Sequence, residues 1–174
     1  MKAISPQDID AERAQISNVV SEGVIETFNS MFGQSITAGD LAPKPGTEKG
    51  SVYSSIKLHQ ADVDVEFCFR FDIGLLLQAA ALIFTKEYLA NNPVQNDIAC
   101  EIANIVCSKV KAYLNEKGFD TEMGFPFIPE EEENPLLKNT DQVHMHFYYD
   151  DVQQSRGIGV VVNFFAADSA KASH

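Results

Sequence analysis

The sequence predicts a single α+β domain in which an antiparallel or mixed sheet packs against two long helices and one shorter buried helix. Three observations carry that expectation. Residues 7–32 and 93–117 place apolar side chains three or four apart, the repeat of an amphipathic helix. Residues 63–71 alternate Val63, Val65, Phe67, Phe69 and Phe71 with Asp64, Glu66, Cys68 and Arg70, the repeat of a strand with one buried and one largely wet face. The order is helix, strands, helices, strands, without internal repeats, in a chain of 174 residues that suits one domain.

The first helix, 7–32, has Pro6 at its start and Gly33 to stop it. A short strand over 35–41 leads into a turn-rich loop, 42–50, with Pro43, Pro45 and Gly46. Strands over 51–59 and 63–71 are linked by Gln60, Ala61 and Asp62 as a hairpin. Residues 74–90 read as one mostly apolar helix, buried on much of its surface and broken by Asn91, Asn92 and Pro93. The second long helix ends at Gly118, a residue type that tolerates a left-handed terminal turn. A strand over 119–128, a polar loop to Thr140 and two strands over 142–149 and 157–165 complete the domain, 1–166, leaving 167–174 as a frayed tail.

The formal net charge is −12, which repels nucleic-acid backbones and anionic membranes and favours a protein partner with exposed lysine or arginine. No apolar run reaches the roughly 20 residues of a membrane span. The opening MKAISPQDIDAERAQ lacks an apolar h-region, so no secretory leader is expected. Cys68, Cys100 and Cys107 are odd in number and form no CxxC, which predicts free thiols in a reducing cytoplasm.

The second long helix carries the candidate site. With about 100° per residue, Asp97, Glu101, Asn104, Ser108 and Lys111 fall within about 80° of arc. Ile98, Ile102, Val106 and Val110 occupy the other side, where only Lys109 intrudes. Such a stripe is equally what a solvated helix face looks like. Two acids four residues apart and a mid-helix asparagine depart from an optimised surface by only a few tenths of a kcal/mol.

The segment DIACEIAN, residues 97–104, resembles the signature of the CheC/CheX/FliY chemotaxis phosphatases. That signature has Asp or Ser, then Glu four residues on, Asn three further, and a proline about 22 residues later. Here Pro126 follows Asn104 after 21 intervening residues. EIANIV, KAYL, the following glycine, FPFIP and the FNSMFG that closes the first helix fit the same resemblance, in its CheX-like branch. The chain departs from the pattern at Ser108, where the family often has glycine. A second ExxN, Glu26 to Asn29, occurs by letter in the first helix, but its neighbours Phe28 and Phe32 read as core.

The resemblance implies a cytoplasmic phosphatase acting on the aspartyl phosphate of a CheY-like response regulator. It assigns catalysis to Asn104, holding the attacking water, and to Glu101, pairing with the lysine beside the regulator's phosphorylated aspartate. Glu101, Asp97 and Ser108 are then the partner-binding residues. The protein needs no cofactor or metal of its own, because Mg²⁺ sits on the regulator. A homodimer is implied, with the final strand pair joining edge to edge with a second copy. The alternative is a non-catalytic adaptor or dimerisation module using the same helix face.

Other chemistry is weaker. His144 and His146 share a strand face and read as surface residues before metal ligands. Cys100 and Cys107 read as small, half-buried residues, and residues 130–133, all glutamate, as a solvated loop. No P-loop, dinucleotide glycine motif or Ser/His/Asp set is present.

Overall fold

A computed structural model describes residues 2–39, 50–138, 144–150 and 157–169. Helix α1, Pro6–Phe32, starts in a capping box: Ser5 accepts from the Asp8 amide while Asp8 accepts from the Ser5 amide. It stops at Gly33, whose φ of 59° is the left-handed conformation glycine adopts without strain. Strand β1, Ile36–Gly39, follows, and the loop expected over 42–50 lies outside the described residues except for Gly50.

Strands β2, Ser51–Gln60, and β3, Val63–Asp72, pair in antiparallel register from Ser51 opposite Asp72 to Gln60 opposite Val63. Their turn has Ala61 at φ 51°, the positive φ that a two-residue hairpin needs and that glycine more often supplies. Strands β4, Glu122–Met123, β5, Met145–Tyr149, and β6, Gly157–Asp168, complete a sheet in the order β1-β5-β6-β3-β2-β4. Every pairing in it is antiparallel.

One sheet face lies under the helices. Val65, Phe67, Phe69 and Phe71 of β3 bury there with Ile56 and Leu58 of β2 and Val160, Val162 and Phe164 of β6. Against them pack Ile16, Val20, Val24 and Phe28 of α1, and Ile102, Val106 and Val110 of helix α4, Gln95–Glu116. Fully burying each such side chain contributes about 1.5–3 kcal/mol, so this interface sets the position of α4.

Several expectations change. Residues 74–90 form two helices, α2, Ile73–Ile83, and α3, Lys86–Asn91. Phe84 between them is extended, and Thr85 accepts the Tyr88 amide at 3.2 Å as a new N-cap. Nor is that region mostly buried: Leu77, Leu82, Ile83 and Tyr88 are exposed. The strand expected over 119–128 is only the two residues of β4, plus single bridges from Phe119 to Lys2 and from Phe127 to Ser55. The far face of β3 is less wet than alternation implies. Cys68 is buried there, and the short helix α5, Pro135–Lys138, within the expected polar loop, packs on β3.

Part of the segment expected as a tail is strand. Ala167 and Asp168 belong to β6, opposite Asp64 and Val63, and residues 170–174 lie outside the described residues. Finally, the last strand pair has no open edge. β6 lies between β5 and β3, and β5 lies between β1 and β6, so the sheet edges among the described strands are β1 and β4. An edge-to-edge contact through β5 and β6 is therefore excluded by the pairing they already have.

Candidate functional site

Helix α4 buries Ile98, Ala99, Ile102, Ala103, Val106 and Val110, as the wheel requires, together with Leu114 and with Cys107, which was expected to be half-buried. Asp97, Glu101 and Ser108 are exposed, and Asn104 and Lys111 are half-buried. The structure thus brings all five stripe residues to one face. Asp97 sits in the first turn, where the helix dipole favours an anion and where no side chain caps the helix. Glu101 and Asn104 lie on adjacent turns. Among the described residues neither the Glu101 carboxylate nor the Asn104 amide has a protein partner, so both remain available to an incoming molecule.

Ser108 behaves differently. Its hydroxyl donates to the Asn104 carbonyl at 2.8 Å and lies 3.6 Å from the Met123 sulfur. It is therefore turned into its own helix and toward β4, and α4 runs through the position without interruption. This contact also shows that the stripe borders the β4 edge of the sheet.

Two ties hold α4. In the core, Ser54 of β2 donates to the Ala99 carbonyl at 3.0 Å. On the side of α1, Lys109 runs its stem over Gly23, where an added Cβ would lie 3.2 Å from the lysine Cδ, and its ammonium meets Glu26 at 2.5 Å. The residue that intrudes on the apolar side thus becomes a helix-to-helix bridge. The same bridge occupies Glu26, the acid of the ExxN in α1. Nearby, Tyr113 donates to Glu12, and burial together with that carboxylate pushes the phenol up to about 12.

The remaining candidates offer less. The rings of His144 and His146 stand 6.3 Å apart, edge to face, and among the described residues no group of three or more His, Cys, Asp or Glu is placed to hold a metal. Burial pushes the Cys68 and Cys107 thiols up to about 12, and raises Cys100 with help from Asp97. Residues Glu131–Glu133 form an exposed 3₁₀ turn. Two clefts, of about 230 and 320 Å³, are lined by Asn115, Gly118, Phe119 and Asp120, and by Tyr53, Pro129, Glu131, Asn134 and Leu137. Neither of these two clefts includes a residue of the stripe.

Sequence reasoning missed the shape of the segment after α4. Between Met123, opposite Leu58, and Phe127, opposite Ser55, the edge segment advances four residues while β2 advances three. One residue is therefore bulged out at Gly124, Phe125 and Pro126. Pro126 fits there because it has no N–H to lose. The Gly124 amide donates to the Lys57 carbonyl at 2.9 Å, and Phe127 exchanges two bonds of 2.8 Å with Ser55. A proline inside an apolar strand pattern was the available signal for a bulge.

No family model and no curated protein sequence matches this chain. Solved structures do. CheX from Vibrio vulnificus matches with a TM-score of 0.63 at 18% identity, over 88% of this chain and 99% of that one. A CheC-like superfamily protein from Shewanella sp. PV-4 gives 0.63 at 14% identity, over 87% and 97%. The chain has the CheX-like fold. A third match is the CheX–CheY–BeF₃–Mg²⁺ complex from Borrelia burgdorferi, with 0.57 at 14% identity, over 88% and 98%. The CheX-like fold agrees with the resemblance carried by Asp97, Glu101, Asn104 and Pro126. Ser108, on the face of α4 that Asp97, Glu101 and Asn104 share, meets Met123 beside the bulged segment. No helix among the described residues is long and apolar enough to cross a membrane.

Proposed function

We propose that this protein dephosphorylates a CheY-like response regulator. The observation that supports the reading most is the pair Glu101 and Asn104, one turn apart on a helix whose other face is locked in the core, with both head groups unengaged by the described residues. The CheX of the Borrelia burgdorferi structure is held in a complex with CheY, which supports a partner of that kind.

An aspartyl phosphate is an acyl phosphate and already reactive, and the regulator's Mg²⁺ neutralises charge on the transferring group. The missing element is a water in line for attack. Asn104 supplies it: a neutral amide both accepts from and donates to water and does not repel phosphate. Fixing that water removes an orientational barrier without any protein nucleophile. Glu101 binds the lysine beside the phosphorylated aspartate and sets the angle between the two proteins, a charge-assisted contact. Asp97, one turn earlier, adds to the field that draws that lysine in. Ser108 supports the Asn104 turn through the carbonyl it already holds.

Phosphate release from a regulator charged with acetyl phosphate, with and without this protein, tests the reading. Acceleration supports it. No acceleration, with binding intact, leaves the helix face as an adaptor surface. A homodimer formed by sheet extension would use an edge strand, β1 or the two-residue β4, because β5 and β6 are internal, and β1 is the longer of the two. Solution mass of wild type against Thr37→Pro, placed on that edge, tests this form of the dimer.

A further inference from the structure

Phe125 is 94% exposed, while most other large apolar side chains of the sheet are buried. Its exposure is not that of a loose loop. The backbone on both sides is bonded to β2, through Gly124 to Lys57 and through Phe127 to Ser55. A rigid aromatic held into solvent can be buried by a partner with little loss of conformational freedom.

Its position is set by three contacts. Met123 touches Ser108, Ser54 touches Ala99, and Ser55 bridges Phe127. The bulged segment therefore runs beside the stretch of α4 from Ser108 back toward Ala99. Phe125 leaves the sheet edge at the level of the turns that carry Asn104 and Glu101. Phe127 and Ile128 extend the apolar surface, with 39% and 42% of each exposed.

Charge selects the occupant. Asp97 and Glu101 on α4 and Glu122 on β4 are exposed, and the chain as a whole carries −12. The partner must combine a basic group with an apolar patch, which a nucleic acid or an anionic lipid surface does not offer. We propose that Phe125, held out by the bulge at Gly124 and Pro126, is the apolar anchor by which a receiver domain docks against Glu101 and Asn104. This rests on the phosphatase reading above for the identity of the partner.

The test measures dephosphorylation of an acetyl-phosphate-charged CheY-type receiver domain over a range of receiver concentrations. Phe125→Ala is compared with Phe125→Leu and with Leu82→Ala, an exposed apolar residue on α2. Phe125→Ala is expected to raise the half-saturating concentration about tenfold or more, with a smaller fall in the saturated rate. Phe125→Leu recovers most of the loss, and Leu82→Ala matches wild type. The same order is expected in binding to the BeF₃- and Mg²⁺-loaded receiver, which needs no turnover.

Wild-type hydrolysis with Phe125→Ala indistinguishable from it overturns the anchor and leaves the phosphatase reading standing. Phe125-dependent binding without hydrolysis supports the anchor and sinks the phosphatase. Absence of any receiver binding by wild type overturns both. If Phe125→Ala instead abolishes a concentration-dependent self-association and leaves receiver binding intact, the anchor belongs to a second copy and the proposal fails.

Discussion

The hydroxyl of Ser54 on β2 donates to the carbonyl of Ala99 on α4 at 3.0 Å, inside the core and two residues before Glu101. This bond joins the sheet to the helix just where the candidate site begins. Its loss leaves a buried carbonyl with one bond fewer and a small void. Ser54→Ala is expected to cost about 1 kcal/mol in a urea titration. A change below roughly 0.3 kcal/mol would show that this bond contributes nothing to holding α4.

The bridge between Lys109 and Glu26 lies over Gly23, and the space there is nearly sufficient for a methyl group. An added Cβ meets the lysine Cδ at 3.2 Å and Val106 at 3.5 Å. The lysine stem is flexible and can yield, and alanine is favoured over glycine in a helix interior by about 1 kcal/mol. Gly23→Ala is therefore expected to raise stability, by up to about that amount, whereas Gly23→Leu lowers it by about 1–3 kcal/mol through overpacking. Thermal melts of the two variants check the pair. A destabilising Gly23→Ala would mean that the helices cannot yield at this contact.

Burial sets the reactivity of the thiols. Cys68 and Cys107 are buried with thiols pushed up to about 12, so at pH 8 the reactive thiolate is a minute fraction and access is closed. Cys100 is raised less and is half-buried. Titration with a thiol reagent in native buffer is expected to modify Cys100 first, with the other two reacting only on unfolding. Fast native labelling of Cys68 would contradict the packing of α5 on β3.

Glu66 lies on the outer face of β3, and burial raises its pKa above the ordinary 4.5 despite the attraction of Lys57. The folded protein then holds this proton at a pH where the unfolded chain has released it. Stability from this group is present at low pH and is lost as pH rises from 4.5 through the raised value. Glu66→Gln is expected to melt above wild type at pH 7, with the gap closing toward pH 4.5. A lower melting temperature for the variant at pH 7 would show that its pairing with Lys57 outweighs the cost of burial.

The elements that were legible in the sequence were those with long, clean periods. The wheel of α4 predicted which side chains bury and which share a face, and the alternation in β3 predicted its inner face. What escaped depended on contacts from elsewhere in the chain. The break at Phe84 and Thr85 rests on a cap and on the stacking of Phe84 on Tyr88 at 4.9 Å, which compete with continuous helical propensity. The outer face of β3 reads as wet until α5 is seen to pack on it. Which strands form the edges is a matter of pairing order, and local pattern carries no information on it. Periodicity alone could not separate Glu101 and Asn104 from any solvated helix face; only the family resemblance, through the spacing to Pro126, singles them out, and the structure places a bulge at that proline.

The measurement closest to the central claim is the rate of phosphate loss from a charged CheY-like regulator with wild type and Asn104→Ala, alongside binding to the BeF₃-loaded form. The expected result is a hundredfold or greater fall in the saturated rate, about 2.7 kcal/mol of lost positioning, with binding and melting temperature near wild type. A variant that removes phosphate at the wild-type rate would contradict the placement of the attacking water on Asn104.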